Sequence, residues 1–185
     1  MAVSSEEKRK HEKWRHPEIK SALVEETKAK CAYCEGYIED VSFPHVEHIK
    51  PKSKFPELAH LWENLTIACA ACNIAKGDYF FEEAQLLNPY KDDLEKFIYP
   101  VGPLIDWIAG VPRAEITVKK IDLNRSPLLI SRAQRLSKVR ELYERWAESS
   151  DPIRTVLEET LRHDAVEGEF SQTVIVFLRS KNFPV

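Results

Sequence analysis

The sequence predicts an α+β fold with little strand, in which a small zinc-anchored core is embedded in a mainly α-helical chain. Three observations predict it. The four cysteines, Cys31, Cys34, Cys69 and Cys72, form two CxxC pairs separated by 34 residues. The chain after residue 112 carries apolar residues at helical spacing almost to its end. Only two short stretches in the first half, residues 36–38 and 45–49, read as extended.

The composition excludes several classes. Of 185 residues, 43% are hydrophobic and 31% charged, and 18 are Trp, Tyr or Phe, which is enough apolar surface for a packed core. No apolar run approaches the roughly 20 residues of a membrane helix. The opening residues, MAVSSEEKRKHEK, are charged and lack the apolar stretch of a secretory signal. A cytoplasmic location is expected. The net charge of −3 argues against binding nucleic acid through bulk charge. Its distribution is uneven, however. Residues 113–145 hold nine Lys/Arg against four Asp/Glu, and residues 147–170 hold two against seven.

The elements follow in order. Residues 5–16 are charged and helix-like, and Pro17 restarts a helix at its first turn. Over 18–30, Ile19, Leu23 and Val24 share one side. Cys31 opens the first knuckle. In a reducing compartment disulfides are rare, so paired CxxC turns predict four thiolates around one structural zinc rather than two redox pairs or four unrelated thiols. The two extended stretches flank a turn at 42–44, and a Pro- and Lys-rich loop covers 50–57. Residues 65–77 read as a short helix that carries the second CxxC and stops at Gly77. Residues 86–112, with four prolines and two glycines, read as loop with short extended pieces. A short helix is expected over 113–121. Ser126 and Pro127 start a long one, with Leu129, Ala133, Leu136, Val139, Tyr143 and Trp146 on one face and Arg135, Lys138 and Arg145 beside them. Two more are expected over 152–163 and 169–179. The expected organisation is an N-terminal helical segment, 1–30, a zinc core, 31–80, and a mainly helical region, 81–185.

The chemistry concentrates between and just after the cysteine pairs. The run VEHIKPKS places a carboxylate, Glu47, beside an imidazole, His48. A carboxamide, Asn73, and a cation, Lys76, lie on the helix behind the last cysteine. Metal-assisted phosphodiester hydrolysis asks for such a set. A carboxylate and an amide oxygen suit a hard cation such as Mg²⁺ or Mn²⁺, and a neutral imidazole takes a proton from water near pH 7. A zinc with four sulfur ligands has no open position and takes no part in the reaction. Lys50, Lys52 and Lys76 are candidate phosphate contacts. His45 is expected to be structural and Trp62 to lie in the core.

From Cys31 to Lys76 the chain resembles the HNH endonucleases, in the order CxxC, EHIKP, NL and CxxC-N-xx-K. The resemblance implies a ββα-metal finger. It implies that His48 is the general base, that Asn64 fixes the loop orienting it, and that Glu47 and Asn73 hold the catalytic cation. Glu47 stands where the family usually has Asp, and Asn73 where it has His or Asn. A narrower likeness, running over CAYCE, VEHIKPKSKFPEL, LWENLTIACAACNIAKGD, NPY and AEITVKKIDLNRSPLLISRAQRL, is to the HNH nucleases of bacterial anti-phage systems, such as the Septu nuclease subunit and retron-associated HNH proteins. That likeness implies DNA as substrate, a role in antiviral defence and a partner ATPase of the ABC/SMC-like class. The rival reading is a non-catalytic zinc-stabilised nucleic-acid-binding or adaptor module, which needs the cysteines but neither Glu47 nor His48.

Overall fold

The computed structural model describes residues 12–38 and 43–185. Residues 5–11 of the expected first helical segment, and Ser42 of the expected turn, lie outside them. The described residues contain six α-helices and two two-stranded antiparallel sheets. The chain divides into two compact units between Asn88 and Pro89. None of the described helices is long and apolar enough to cross a membrane.

In the first unit, a single 3-10 turn at Lys13–Arg15 buries Trp14 and leads into α1, Pro17–Glu26. His16 caps that helix, accepting from the Glu18 N–H at 3.3 Å, and Pro17 supplies the preset φ of its first turn. Of the three apolar residues expected to face the core, Leu23 is buried completely. The first CxxC turn is closed by the Cys31 N–H on the Gly36 carbonyl at 2.9 Å. The Ala32 N–H ties the same turn to the Ile67 carbonyl at 3.0 Å.

The strand pairing differs from expectation. Strand β1, His45–His48, pairs with β2, Leu65–Ala68, with Glu47 opposite Thr66 and His48 opposite Leu65. Residues 36–38 make only an isolated bridge, Tyr37 with Lys30. Leu65–Ala68, expected in a helix, is a strand. All four of its residues are buried, and a short continuous apolar run does not distinguish a buried strand from a buried helix by periodicity. The helix behind it, α2, is Ala70–Lys76. It stops at Gly77, whose φ of +56° suits a residue without Cβ.

The second unit begins with a hairpin, β3 (Ile98–Val101) and β4 (Leu104–Trp107). Asn124 pins it, its amide exchanging two 2.8 Å bonds with the Ile105 backbone. Helices α3 (Pro112–Lys120), α4 (Ser126–Glu148), α5 (Ile153–Glu167) and α6 (Ser171–Ser180) follow. Val139, Leu161, Ala165, Val174, Leu178 and Phe183 form their core, with Tyr143 and Trp146 packed against it. Leu136, Val139, Tyr143 and Trp146 of α4 face the core as expected, but near its start Arg132 is inside and Ala133 outside. Arg132 is held there by the carbonyls of Pro103 and Leu123, at 3.2 and 2.7 Å, and by the Phe170 ring. Arg135, expected on a basic face, is engaged instead with Asp164 at 2.6 Å and the Glu169 carbonyl at 3.3 Å.

Candidate active site

The two CxxC turns meet. The sulfurs of Cys31, Cys34, Cys69 and Cys72 are all buried and lie within 4.8 Å of one another. A tetrahedral zinc with Zn–S bonds of about 2.3 Å spaces its sulfurs about 3.8 Å apart, and the Cys34–Cys69 separation is 3.9 Å. The donor set itself calls for a cation. Hydrogen bonds from the other thiols hold the Cys69 thiol down, and the same contacts push Cys72 up. A divalent ion removes that conflict, because every sulfur can then be a thiolate. The four cysteines thus fit a closed structural zinc site.

The consequence for the chemistry is positional. Cys69 caps α2 and Cys72 lies on its first turn, so the cluster fixes the helix that carries Asn73 and Lys76. That helix packs on β1. Alternate residues of a strand share a face and residues three apart on a helix are neighbours, so the two elements meet pairwise. His45 faces Asn73, with Nδ1 of the imidazole 3.1 Å from the amide Nδ2. Glu47 faces Lys76, with the ammonium 2.5 Å from Oε1.

Glu47 and Lys76 are both buried, at 6% and 2% exposure. Lys76 donates its aligned hydrogen bond to the His48 carbonyl, at 2.7 Å. Glu47 Oε1 accepts no aligned hydrogen bond from any described residue. Burial pushes the Glu47 carboxyl above its ordinary value, against the opposing pull of the Lys76 charge. Lys76 is expected to contact phosphate. The structure turns its ammonium inward instead, because the chain from Ala70 to Lys76 is a single helix that points position 76 at β1.

His48 is 4% exposed. Its Nε2 lies 3.1 Å from the Ala59 carbonyl oxygen. A carbonyl only accepts, so the proton of the neutral ring sits on Nε2 and the lone pair on Nδ1. Burial lowers the imidazole from 6.5 to about 4, and the ring is therefore neutral near pH 7. Asn64 secures the segment between. Its Oδ1 accepts from the Lys50 N–H at 2.7 Å, and its Nδ2 donates to the carbonyls of Lys50 and Leu58, at 3.0 and 3.2 Å. Both ends of the loop that presents Ala59 are thus tied to one amide.

A cleft of about 530 Å³ is lined by Glu47, His48, Lys52, Asn73, Lys76 and Asp78, among others. Its residues suit an oxygen-preferring divalent cation. Glu47 offers a buried carboxylate oxygen, and the Asn73 amide, with Nδ2 on His45, keeps Oδ1 for a ligand. Of the candidate phosphate contacts, Lys52 is exposed at the cleft, whereas Lys50 is half-buried with its ammonium over the rings of Phe55 and Phe80, at 5.2 and 5.4 Å. Trp62 was expected in the core and is 42% exposed on a 3-10 turn. Two contributors had no sequence signal. Ala59 acts through its backbone, which any residue supplies. Trp14 makes a T-shaped contact with the His48 ring from 34 positions upstream, with no spacing rule to mark it.

Residues 31–79 match the family model of the HNH endonucleases, so the chain carries an HNH domain over that span. Two curated relatives are both named Septu protein PtuB. The one from Bacillus thuringiensis is 39% identical over 80 residues, which is 43% of this chain and 31% of the relative. The one from Bacillus mycoides (strain KBAB4) is 27% identical over 154 residues, 66% of this chain and 52% of the relative. The matched segments span about a third and about a half of those proteins.

Proposed function

We propose that this chain is a metal-dependent HNH endonuclease that hydrolyses DNA phosphodiester bonds, as the nuclease effector of a bacterial anti-phage defence system in the cytoplasm. The observation that carries the reading is one juxtaposition within the HNH domain: a neutral imidazole with its Nδ1 lone pair left for use, in the same cleft as a buried carboxylate and a carboxamide. The likeness to two proteins named Septu protein PtuB supports the defence role.

In this reading Glu47 and Asn73 would hold the catalytic cation, and the four cysteines the structural zinc. When bound, the cation would acidify water and offset charge on the scissile phosphate. His48 takes the proton of the attacking water at Nδ1. An imidazole lowered to about 4 is a weak base, so it suits a water that is already acidified. The Ala59 carbonyl fixes the tautomer, and Asn64 fixes the loop that carries Ala59. Lys76 offsets the Glu47 charge. Lys52, at the cleft and exposed, contacts substrate phosphate. A partner ATPase of the ABC/SMC-like class is part of the proposal, since a chain of net charge −3 holds DNA weakly on its own.

The test is cleavage of plasmid, linear duplex and single-stranded DNA in Mg²⁺, Mn²⁺ or EDTA, with the neighbouring gene's product present and absent. Cleavage that needs a divalent ion and disappears in His48→Ala, with zinc retained, supports the proposal. A protein that binds DNA without cutting it under any of these conditions is the adaptor module instead.

A further inference from the structure

Trp14 lies outside the HNH span of residues 31–79, on the turn before α1, and is 8% exposed. Its ring meets that of His48 edge-to-face, with centroids 5.2 Å apart at 84°. It also packs on His60 at 4.9 Å. Lys52, the exposed cation lining the cleft, has its ammonium 5.8 Å from the same indole. One side chain from the N-terminal segment therefore touches both the imidazole and the cation of the cleft.

These contacts do what the motif residues cannot. A single 3.1 Å bond, His48 Nε2 to the Ala59 carbonyl, sets which nitrogen carries the proton, but only while the ring stays in one orientation. A ring flip exchanges the two nitrogens, and a tautomer shift moves the lone pair. Trp14 occupies space that a flip needs, while the Ala59 carbonyl opposes the tautomer shift. Its face also attracts an ammonium, so the cation and the base are held by opposite properties of one ring system. The turn is itself anchored through α1, which buries Leu23 and packs on β2.

We propose that Trp14 is a positioning residue of this site: it walls His48 into the Nε2–H form, which leaves Nδ1 as the base atom, and it holds the Lys52 ammonium at the rim of the cleft. The inference rests on the nuclease reading and extends the working site to the N-terminal segment.

The test uses the full chain, zinc-loaded, with Trp14→Leu and Trp14→Phe. Histidine side-chain ¹⁵N spectra, recorded without catalytic cation, read the tautomer of His48 independently of activity. The wild type is expected to show one tautomer, Nε2–H. Trp14→Leu is expected to show averaged nitrogen shifts, with zinc content and melting temperature close to wild type. Its kcat should fall about ten- to a hundredfold, as misplacing a catalytic group does, and its KM should rise less. Trp14→Phe, which keeps an aromatic ring, should recover most of the kcat. An averaged tautomer in the wild type overturns the proposal without any variant. So does a single, unchanged tautomer in Trp14→Leu, or a loss of kcat that tracks loss of zinc and is not recovered by Phe. Should the tautomer respond as expected while no protein cleaves DNA, the positioning role stands and the nuclease reading falls.

Discussion

Replacing Lys76 by Met removes an ammonium and keeps most of the stem. Glu47 is then left 6% exposed with no cation in contact, only the more distant Lys52. Breaking one half of a buried ion pair costs about 3–5 kcal/mol. Losing the 2.7 Å bond to the His48 carbonyl adds on the order of 1 kcal/mol. Glu47 recovers part of this by taking a proton, since burial already raises its carboxyl and Lys76 is the chief group opposing that rise. A net loss of about 3 kcal/mol follows at pH 7, or roughly 6–12 °C of melting temperature for a chain of this size. The informative step is adding metal. In the wild type an incoming cation competes with Lys76 for Glu47. In the variant it meets a carboxylate with no cation in contact, and at a hundredfold excess over Kd it returns about 2.7 kcal/mol. Thermal melts in EDTA and in graded Mn²⁺ should therefore show a larger metal response in Lys76→Met than in the wild type. Adding Glu47→Gln should restore stability in EDTA and abolish the response to Mn²⁺. An unchanged melting temperature in EDTA, or equal Mn²⁺ shifts in wild type and Lys76→Met, refutes this account of the pair.

Other expectations are as direct. One zinc per chain with sulfur-only ligands should appear by elemental analysis and X-ray absorption, and Cys69→Ser should unfold the finger, since a structural zinc contributes on the order of 10 kcal/mol. His48→Ala should lower cleavage about 10²- to 10⁴-fold, with zinc content unchanged and a fall in melting temperature too small to account for the lost activity. Glu47→Ala should regain part of its lost activity at high Mn²⁺ and His48→Ala little, with Asn73→Ala milder than Glu47→Ala. The acid limb of the rate should belong to Glu47. Its carboxyl is raised, so cation binding fails at a higher pH than for an ordinary carboxylate, whereas His48 stays unprotonated down to about 4. The limb should move to lower pH as Mn²⁺ rises; a limb fixed near pH 6.5 at every concentration would identify His48 as its source. For stability the sign differs between the two. The His48 contribution is present above pH 6.5 and is lost as pH falls toward about 4.

The readable parts of this chain were those whose chemistry is carried by spacing. Two CxxC pairs predict a cluster because each turn aims two sulfurs at one point, and Gly77 predicts a stop because φ of +56° suits no other residue so well. The long helix after Pro127 was visible in its 3.6-residue period, and so was most of its buried face, Leu136, Val139, Tyr143 and Trp146, but not the start of it. Arg132 is inside because the carbonyls of Pro103 and Leu123 receive it, and no local pattern contains those carbonyls. The strand Leu65–Ala68 was hidden for the same reason. Its identity is decided by β1, a partner more than a dozen residues away.

The same logic explains why the candidate site was legible in its residues and not in its electrostatics. Glu47, His48, Asn64 and Asn73 could be picked out by type and order, whereas the direction of each side chain depends on which element faces it. Lys76 shows this most clearly. As a cation after a CxxC helix it reads as a phosphate contact, yet the helix begins at the zinc cluster and has turned position 76 onto β1 by the time it ends. The zinc cluster is therefore more than a staple. By setting where α2 starts, it sets the rotation at which Asn73 meets His45 and Lys76 meets Glu47. A residue inserted between Cys72 and Asn73 would turn both positions by about 100°, leaving the sulfur cluster intact and separating the amide and the ammonium from the strand they face.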